Sequence, residues 1–451
     1  MRGIEQDLRS LLDPDAVLPG SSTEYLSDFT EERGFGGYAD AVVLPRSADE
    51  VARVVAWCYE HDVPIVPRGG GTGFAGGAVP LGGIVLSLER LTAVRSFEPL
   101  VWRIEVESGM RTADLRRIVR ENGLFFPPDP GAAEQSHVGG NIATNAGGPH
   151  AFKYGVTGSW VLGLEAVLAP GELVRVGGPV RKDVAGYDLK RLLIGSEGTL
   201  GVVTAAWLRL LPAPEVFLPV VAFYDGIAAG TAALARVVAS GLTVAALEYL
   251  EGGTLAAAGG SFPGGVPERA GFLVIAEADG SPEEAARLRG EVVEALGEGA
   301  LDVRTPADAG ALWRWREGVT HAVTAQRGGK VSEDVCVPFD RIAEGIEGTL
   351  EIGRRYGLQA CSWGHAGDGN LHSTFLVTPG DAEELERCER AVDDLFALAL
   401  RLDGSISGEH GVGALKRAHI GEYLAPPVLA LQAQIKHAFD PKNLFNPGKK
   451  L

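Results

Sequence analysis

The sequence predicts an α+β protein of at least two domains, on three observations. Its 451 residues exceed what one hydrophobic core sustains, roughly 250–300 residues. After Pro214 the pattern becomes strand, helix, strand, strand, helix, strand, ending near Arg304, the order of a ferredoxin-like unit. Many of the 62 glycines cluster in a few segments. The expected division is 1–213, 214–412 and a closing segment, 413–451.

Taken in order, Ser47 and Glu50 form a capping box ahead of the apolar-periodic run Val51 to Tyr59. PIVP reads as a short buried strand leading into a glycine-rich loop, and GGIVLSL and VWRIEVE read as further strands. A helix follows over about Thr112 to Asn122. Phe125 to Gly148 is rich in Pro, Gly and Asn and almost without periodicity, and loops of that length in a compact domain are functional or disordered. Its apolar flanks argue against disorder. VLGLEAVL, a PGE turn and LVRV make a hairpin, and Gly201 to Tyr224 reads as two strands around a Pro-rich linker. Ser281, Pro282 and Glu284 give the second helix of the ferredoxin-like series a capping box with proline at the first helical position. A second strand–helix–strand–strand–helix series runs from Val331 to about Asp403. A last helix, about Pro427 to Phe439, precedes the tail NPGKK. There is no low-complexity segment and no exact internal repeat.

Charge excludes some partners. With 41 basic against 59 acidic residues the net charge is -18, which repels nucleic-acid phosphates and anionic lipid. An anionic substrate therefore needs a local group of cations. Cys58, Cys336, Cys361 and Cys388 form no CxxC pair, so no cluster or zinc-ribbon spacing is present, and they read as buried thiols of a reducing compartment. The start lacks the apolar run of a signal peptide, and the greasiest stretch is broken by Arg209, Pro212, Pro214 and Glu215, so the expectation is a cytoplasmic protein without a membrane span.

PRGGGTGFAGGAVP, Pro67 to Pro80, follows a strand. Four glycines and Thr72 fall within Gly69 to Gly73. Glycine lets backbone N–H groups approach an anion closely, so the loop reads as a diphosphate cradle rather than a tight surface turn. It is not a GxGxxG opening a helix, because Pro80 and a strand come too soon.

These residues carry a resemblance to the flavoprotein family of vanillyl-alcohol oxidase and p-cresol methylhydroxylase. Within it the chain is most similar to the branch of D-lactate dehydrogenase, glycolate oxidase flavin subunit and D-2-hydroxyglutarate dehydrogenase, from near Tyr25 to the C-terminus. The resemblance implies a two-subdomain FAD-binding domain, a ferredoxin-like cap and a C-terminal helical return to the flavin. It implies FAD contacts from Pro67, Arg68, Gly69, Gly70, Gly71, Thr72, Gly73, Gly76 and Gly77. A second block, FPPDPGAAEQSHVGGNIATNAGG, implies contacts from Pro128, Asp129, Ser136, Gly139, Gly140, Asn141 and Ala146. KYG, Lys153 to Gly155, continues the pattern, and GSEGTLGVVT resembles the adenine-side wall, centred on Glu197, Gly198 and Val203. FNPGK adds Asn446 and Lys449. The first loop has neither His nor Cys for a covalent link, so non-covalent FAD is expected; His137 and His150 read as polar loop residues.

GHAGDGNLH carries His365 and His372, with glycines that let the chain fold back so both imidazoles can reach one ion. Two histidines in a loop also serve as plain polar surface. GEHGVG then places Glu409 beside His410 between glycines, and imidazole with carboxylate suits zinc, with manganese or iron as alternatives. In the branch resembled, the equivalents of His365, His372 and Glu409 are metal ligands. The histidine after that glutamate, His410, is the candidate base, since an ordinary pKa of about 6.5 suits proton removal near neutral pH. Asp368 reads as holding the loop. The resemblance assigns substrate contacts to Asn370, Arg316, Thr320, Lys330 and His410, with Arg316 as the carboxylate clamp and Arg314 solvated or paired structurally.

The resulting expectation is FAD-dependent oxidation of a small D-2-hydroxy acid of the lactate, glycolate or 2-hydroxyglutarate type by hydride transfer to flavin N5. The acceptor would be an electron-transfer protein, a quinone or oxygen, and the chain a possible homodimer. Two other readings are the flavin subunit of a multi-chain glycolate oxidase complex and a transferase like alkylglycerone-phosphate synthase.

Overall fold

The computed structural model describes residues 3–451, apart from the side chains at 31 and 32. The chain forms two compact units. One holds the chain up to Gly147, then Val156–Ala213 and Glu409–Leu451; the other holds Gly148–Gly155 and Pro214–Gly408. This division departs from the expected one in two places. Gly148–Gly155 belongs to the second unit because its side chains are fastened there: Lys153 and Tyr154 both bond Asp279, and His150 Nε2 lies 2.9 Å from Glu277 Oε2. The first unit regains the chain at Glu409 rather than residue 413, because the next residues bond within it, as the site shows.

In the first unit, Val17–Pro19 (β1), Ala41–Val43 (β2), Ile65–Arg68 (β3) and Ile84–Ser87 (β4) form a sheet in the order β1-β2-β4-β3. β4 runs parallel to both β2 and β3. Val94–Glu98 (β5), Arg103–Glu107 (β6), Val161–Leu168 (β8), Glu172–Gly177 (β9) and Val202–Arg209 (β10) form an antiparallel sheet, β5-β6-β10-β8-β9. Leu124–Phe125 (β7) pairs with Leu211–Pro212 (β11). The helix Ala48–Glu60 buries Val51, Val54, Val55 and Cys58 in a cluster with Ile65, Ile84, Val167 and Val202, so it packs on both sheets. Its capping box is only half present: Ser47 accepts from Glu50 N–H, but the Glu50 carboxylate reaches back to Arg46 N–H. The C-terminal tail closes on β3, with Ile65 N–H donating to Leu444 O at 2.8 Å and Asn446 N–H to Ile65 O at 2.7 Å.

The segment expected to be one long loop contains a helix, Val138–Thr144. VGGNIAT has two glycines and no start signal, so local propensity is weak. Tertiary anchors supply the order instead: Val138 N–H donates to Met110 O and Gly139 N–H to Ser108 O.

The second unit is one seven-stranded antiparallel sheet. Val216–Tyr224 (β12), Ala246–Glu251 (β13), Phe272–Gly280 (β14) and Asp302–Arg304 (β15) come from the first series. Gly329–Cys336 (β16), Ala360–His365 (β17) and Asn370–Val377 (β18) come from the second. The order is β15-β12-β14-β13-β17-β18-β16. The first four strands thus have the ferredoxin-like arrangement, and the second series adds three more edge to edge. The capping box at Ser281, with Pro282 at the first position, is present. Side chains alternate faces along each strand. Helices Ile227–Ala239, Pro282–Gly297 and Ile342–Tyr356 pack on one face. On the other, Leu250, Leu273, Ile275, Cys361 and Trp363 join Leu312, Trp315 and Val319 from helices Ala309–Glu317 and Val319–Ala325. Among the described residues no helix is long and apolar enough to cross a membrane.

Gly230 and Gly290 test this packing. A Cβ on Gly230 would collide with the buried Phe272 ring, whereas Gly290, exposed on its helix, has open space. We expect Gly230→Ala to destabilise by about 1–3 kcal/mol and Gly290→Ala to stabilise by up to about 1 kcal/mol in urea unfolding.

Candidate active site

The first unit gathers the three glycine-rich blocks. Gly69 comes up against the second block, where its added Cβ would lie 3.3 Å from Gly140 Cα, and Gly198 against the start of the loop, 3.1 Å from Pro67 Cγ. At Gly71, φ is +68° and a Cβ would strike the Arg68 guanidinium, so glycine is required there. Among the described residues, none of the backbone N–H groups from Gly69 to Gly77 donates to a backbone carbonyl. The loop thus presents a row of free donors, as an anion cradle needs.

Several side chains assigned to the cofactor are occupied otherwise. Arg68 donates from Nη1 to Ser27 O at 2.7 Å and from Nη2 to Glu24 O at 3.0 Å, so it pins the loop. Ser136 Oγ and Asn141 Nδ2 both bond Thr112 Oγ1, at 2.8 and 2.7 Å, which fastens the second block. Val203 sits in β10, buried. The Glu197 carboxylate accepts from Val412 N–H at 2.9 Å and Gly413 N–H at 2.6 Å and pairs with Lys450 at 3.0 Å. Asn446 Nδ2 donates to Gly77 O and Glu197 O, while its Oδ1 is buried without a partner, as is His137 Nδ1. Lys449 Nζ, also buried, donates to Val79 O, and burial pushes its pKa down to about 8. His410 stacks on Phe74, with ring centroids 4.6 Å apart.

In the second unit the two histidines stand on strands, not in a loop. His365 ends β17, His372 is in β18, and only Ala366–Gly369 turns between them. Trp363 pairs with His372 and His365 with Asn370, so the histidines are diagonal neighbours on one face, with ring centroids 5.2 Å apart. Glu409 directly follows Gly408, whose N–H is held by Asp334 Oδ2 at 2.8 Å. Donor atoms of His365, His372 and Glu409 lie within 4.8 Å of one another, and Asp368 does not join them.

Around the histidines, Glu248 has its side chain fully buried, opposite His365 across β13 and β17. His365 Nδ1 lies 2.6 Å from Glu248 Oε1, and Arg316 Nη2 lies 2.5 Å from Oε2. Burial alone would raise the Glu248 pKa, but His365 and Arg316 together hold it below the usual range. Arg316 Nε and Nη2 make no aligned hydrogen bond among the described residues. Lys330 Nζ donates to Thr320 Oγ1 and lies 5.4 Å from the Trp363 ring centroid. Asn370 Nδ2 already bonds Val335 O at 3.2 Å. Arg314 is exposed.

Residues 39–177 match the FAD binding domain model, and residues 213–450 match that of the C-terminal domain of FAD linked oxidases. The chain belongs to the FAD-linked oxidase family. It is 40% identical to the glycolate oxidase subunit GlcD of Bacillus subtilis (strain 168) over 454 residues, covering 99% of this chain and 96% of that one. A D-lactate dehydrogenase of Anaerostipes hadrus is 34% identical over 97% of this chain and 94% of its own. A D-2-hydroxyglutarate dehydrogenase of Xanthomonas citri pv. viticola is 37% identical over 91% and 88%. In fold, p-cresol methylhydroxylase with substrate bound superposes with a TM-score of 0.82 at 19% identity, covering 98% of this chain and 95% of that one.

As an FAD-linked oxidase, the protein is an oxidoreductase. The free loop N–H groups and the Lys449 ammonium fit a diphosphate, and the partnerless Asn446 Oδ1 can accept from a donor elsewhere on a cofactor that carries one. Sequence reasoning missed Glu248, although a glutamate inside the apolar run VAALEYL was a visible signal. It also missed Asp334, which carries no local motif, and Phe74, which sits inside the glycine loop that was read for its backbone alone.

We expect Glu197→Ala to lower FAD retention about tenfold or more, since hydrogen bonds to a charged group contribute roughly 1.5–3 kcal/mol each; the ratio of flavin to protein absorbance after gel filtration reads it. In the apoprotein, Lys449 should contribute stability that grows as pH rises from about 8 towards the ordinary lysine value of 10.5. Lys449 releases its proton earlier folded than unfolded, so the unfolded chain binds more protons in that window. Denaturation at pH 8 and pH 10 should show the gain relative to Lys449→Met.

Proposed function

We propose that this FAD-linked oxidase dehydrogenates a small D-2-hydroxy acid to the 2-oxo acid, with non-covalent FAD and a divalent ion, zinc first, held by His365, His372 and Glu409. One observation carries the reading. Donor atoms of the three groups lie within 4.8 Å of one another, and Glu248 at His365 Nδ1 favours the tautomer whose lone pair is on Nε2. Imidazole, imidazole and carboxylate, with no fourth donor grouped with them among the described residues, is the set of a catalytic rather than a structural ion.

When bound, the flavin supplies a hydride acceptor and the ion a Lewis acid. Arg316 binds the substrate carboxylate through its unaligned N–H groups. Thr320 and Lys330, already bonded to each other, add a second polar contact. His410 takes the hydroxyl proton, and Phe74 stacked on it fixes its ring plane. The relatives named for glycolate, D-lactate and D-2-hydroxyglutarate are each at least 34% identical, which supports the substrate class. The word subunit in the glycolate oxidase name supports a partner chain that receives the electrons.

Anaerobic addition of D-lactate, glycolate, D-2-hydroxyglutarate and the L-isomers to the flavin-loaded protein tests the reading. A D-acid or glycolate should bleach the flavin; chelation should abolish bleaching and zinc or manganese restore it. His365→Ala should slow reduction at least about 100-fold while leaving the flavin bound, and a flavin that no hydroxy acid reduces would overturn the reading.

A further inference from the structure

We propose that Glu248 is a positioning residue with two charges: a single buried carboxylate sets both the metal ligand His365 and the anion clamp Arg316. This rests on the function proposed above. Glu248 stands in β13 between Leu247 and Tyr249, both buried, in the middle of a seven-stranded sheet. A carboxylate buried there without partners would cost several kcal/mol, so it persists only because a donor meets each oxygen. Oε1 faces His365 and Oε2 faces Arg316, at 2.6 and 2.5 Å.

Each contact has a separate consequence. At His365, an acceptor on Nδ1 keeps the proton on that nitrogen, which puts the ring's lone pair on Nε2, and fixes the plane of the ring. At Arg316 the contact is close but unaligned, so the charge is held in place while Nε and Nη2 keep donor capacity. The rest of that helix is fixed independently: Leu312 and Trp315 are buried, and Trp315 Nε1 bonds Ala258 O at 3.0 Å. Backbone packing thus aims the arginine, and Glu248 decides where its guanidinium stops.

Glu248→Gln tests this, because it keeps the shape and removes the charge. Zinc affinity is measured by competition with a chelator on the full-length, FAD-loaded protein without substrate, so its result stands even if the hydroxy-acid reading fails. We expect zinc affinity to fall about 10–100-fold. At saturating zinc, the KM for D-lactate should rise at least tenfold, with a smaller fall in kcat. Glu277→Gln is the control: that carboxylate is buried on the same sheet face but bonds His150 and Trp313, and its loss should leave zinc affinity unchanged. Wild-type zinc affinity in Glu248→Gln would overturn the proposal, and so would an equal loss in Glu277→Gln. If Glu248→Gln does not fold, the double variant with Arg316→Met removes the unbalanced charge; a zinc affinity equal to that of Arg316→Met alone would overturn it likewise.

Discussion

The carboxylate of Glu197 holds more of the first unit together than any hydrophobic contact of its size could. Glu197 has a left-handed backbone, φ 54°, at the turn of the third glycine block. Its side chain accepts from the N–H groups of Val412 and Gly413, its carbonyl accepts from Asn446, and Lys450 pairs with it. Three stretches far apart in sequence are tied at one residue. A glycine-rich segment cannot order itself by side-chain packing, because it has none. It is ordered by charge-assisted bonds to backbone N–H groups, which are stronger than neutral ones. The chain leaving Glu409 and His410 is therefore directed by the Glu197 carboxylate.

The second unit solves a different problem: placing ionisable groups on a sheet face that is otherwise core. Strand alternation puts Glu248, His365 and His372 on the same face as Leu250, Cys361 and Trp363. A polar group there must be satisfied by another polar group, and the pairs observed follow that rule: Glu248 with His365 and Arg316, Lys330 with Thr320, Asp334 with Ser407 and Gly408. The glycines at the hairpin serve this arrangement. Gly364 has φ +153°, and a Cβ there would collide with the Asn370 carbonyl, so β17 and β18 could not close as they do.

Much of this was legible in the sequence for physical reasons. Turn chemistry and alternation marked the hairpin Val161–Gly177 and both series of the second unit, because those signals are local. Glycine density marked the cradle, since only glycine can occupy positions such as Gly71. The donor trio was legible as residue types in two short segments. What was illegible depended on contacts between distant residues. Arg68 reads as an anion ligand in its motif, yet its charge is spent on the carbonyls of Glu24 and Ser27, which no local pattern announces. Val138–Thr144 is helical against its own composition because Ser108 and Met110 hold its first turn.

The same contrast separates the two kinds of buried acid in this chain. Asp279 and Glu277 hold Gly148–Gly155 to the second unit, through Lys153, Tyr154, His150 and Trp313. Glu248 instead faces one residue of the donor trio and one cation with donors to spare. Burial and charge are alike in the two cases, so neither distinguishes a fastener from a functional group. The partners do: Asp279 and Glu277 face residues that fasten Gly148–Gly155, while Glu248 faces a residue of the donor trio and the proposed anion clamp, and so passes its orientation on to whatever binds there. By that criterion Glu248, and not the equally buried Glu277, belongs with the chemistry.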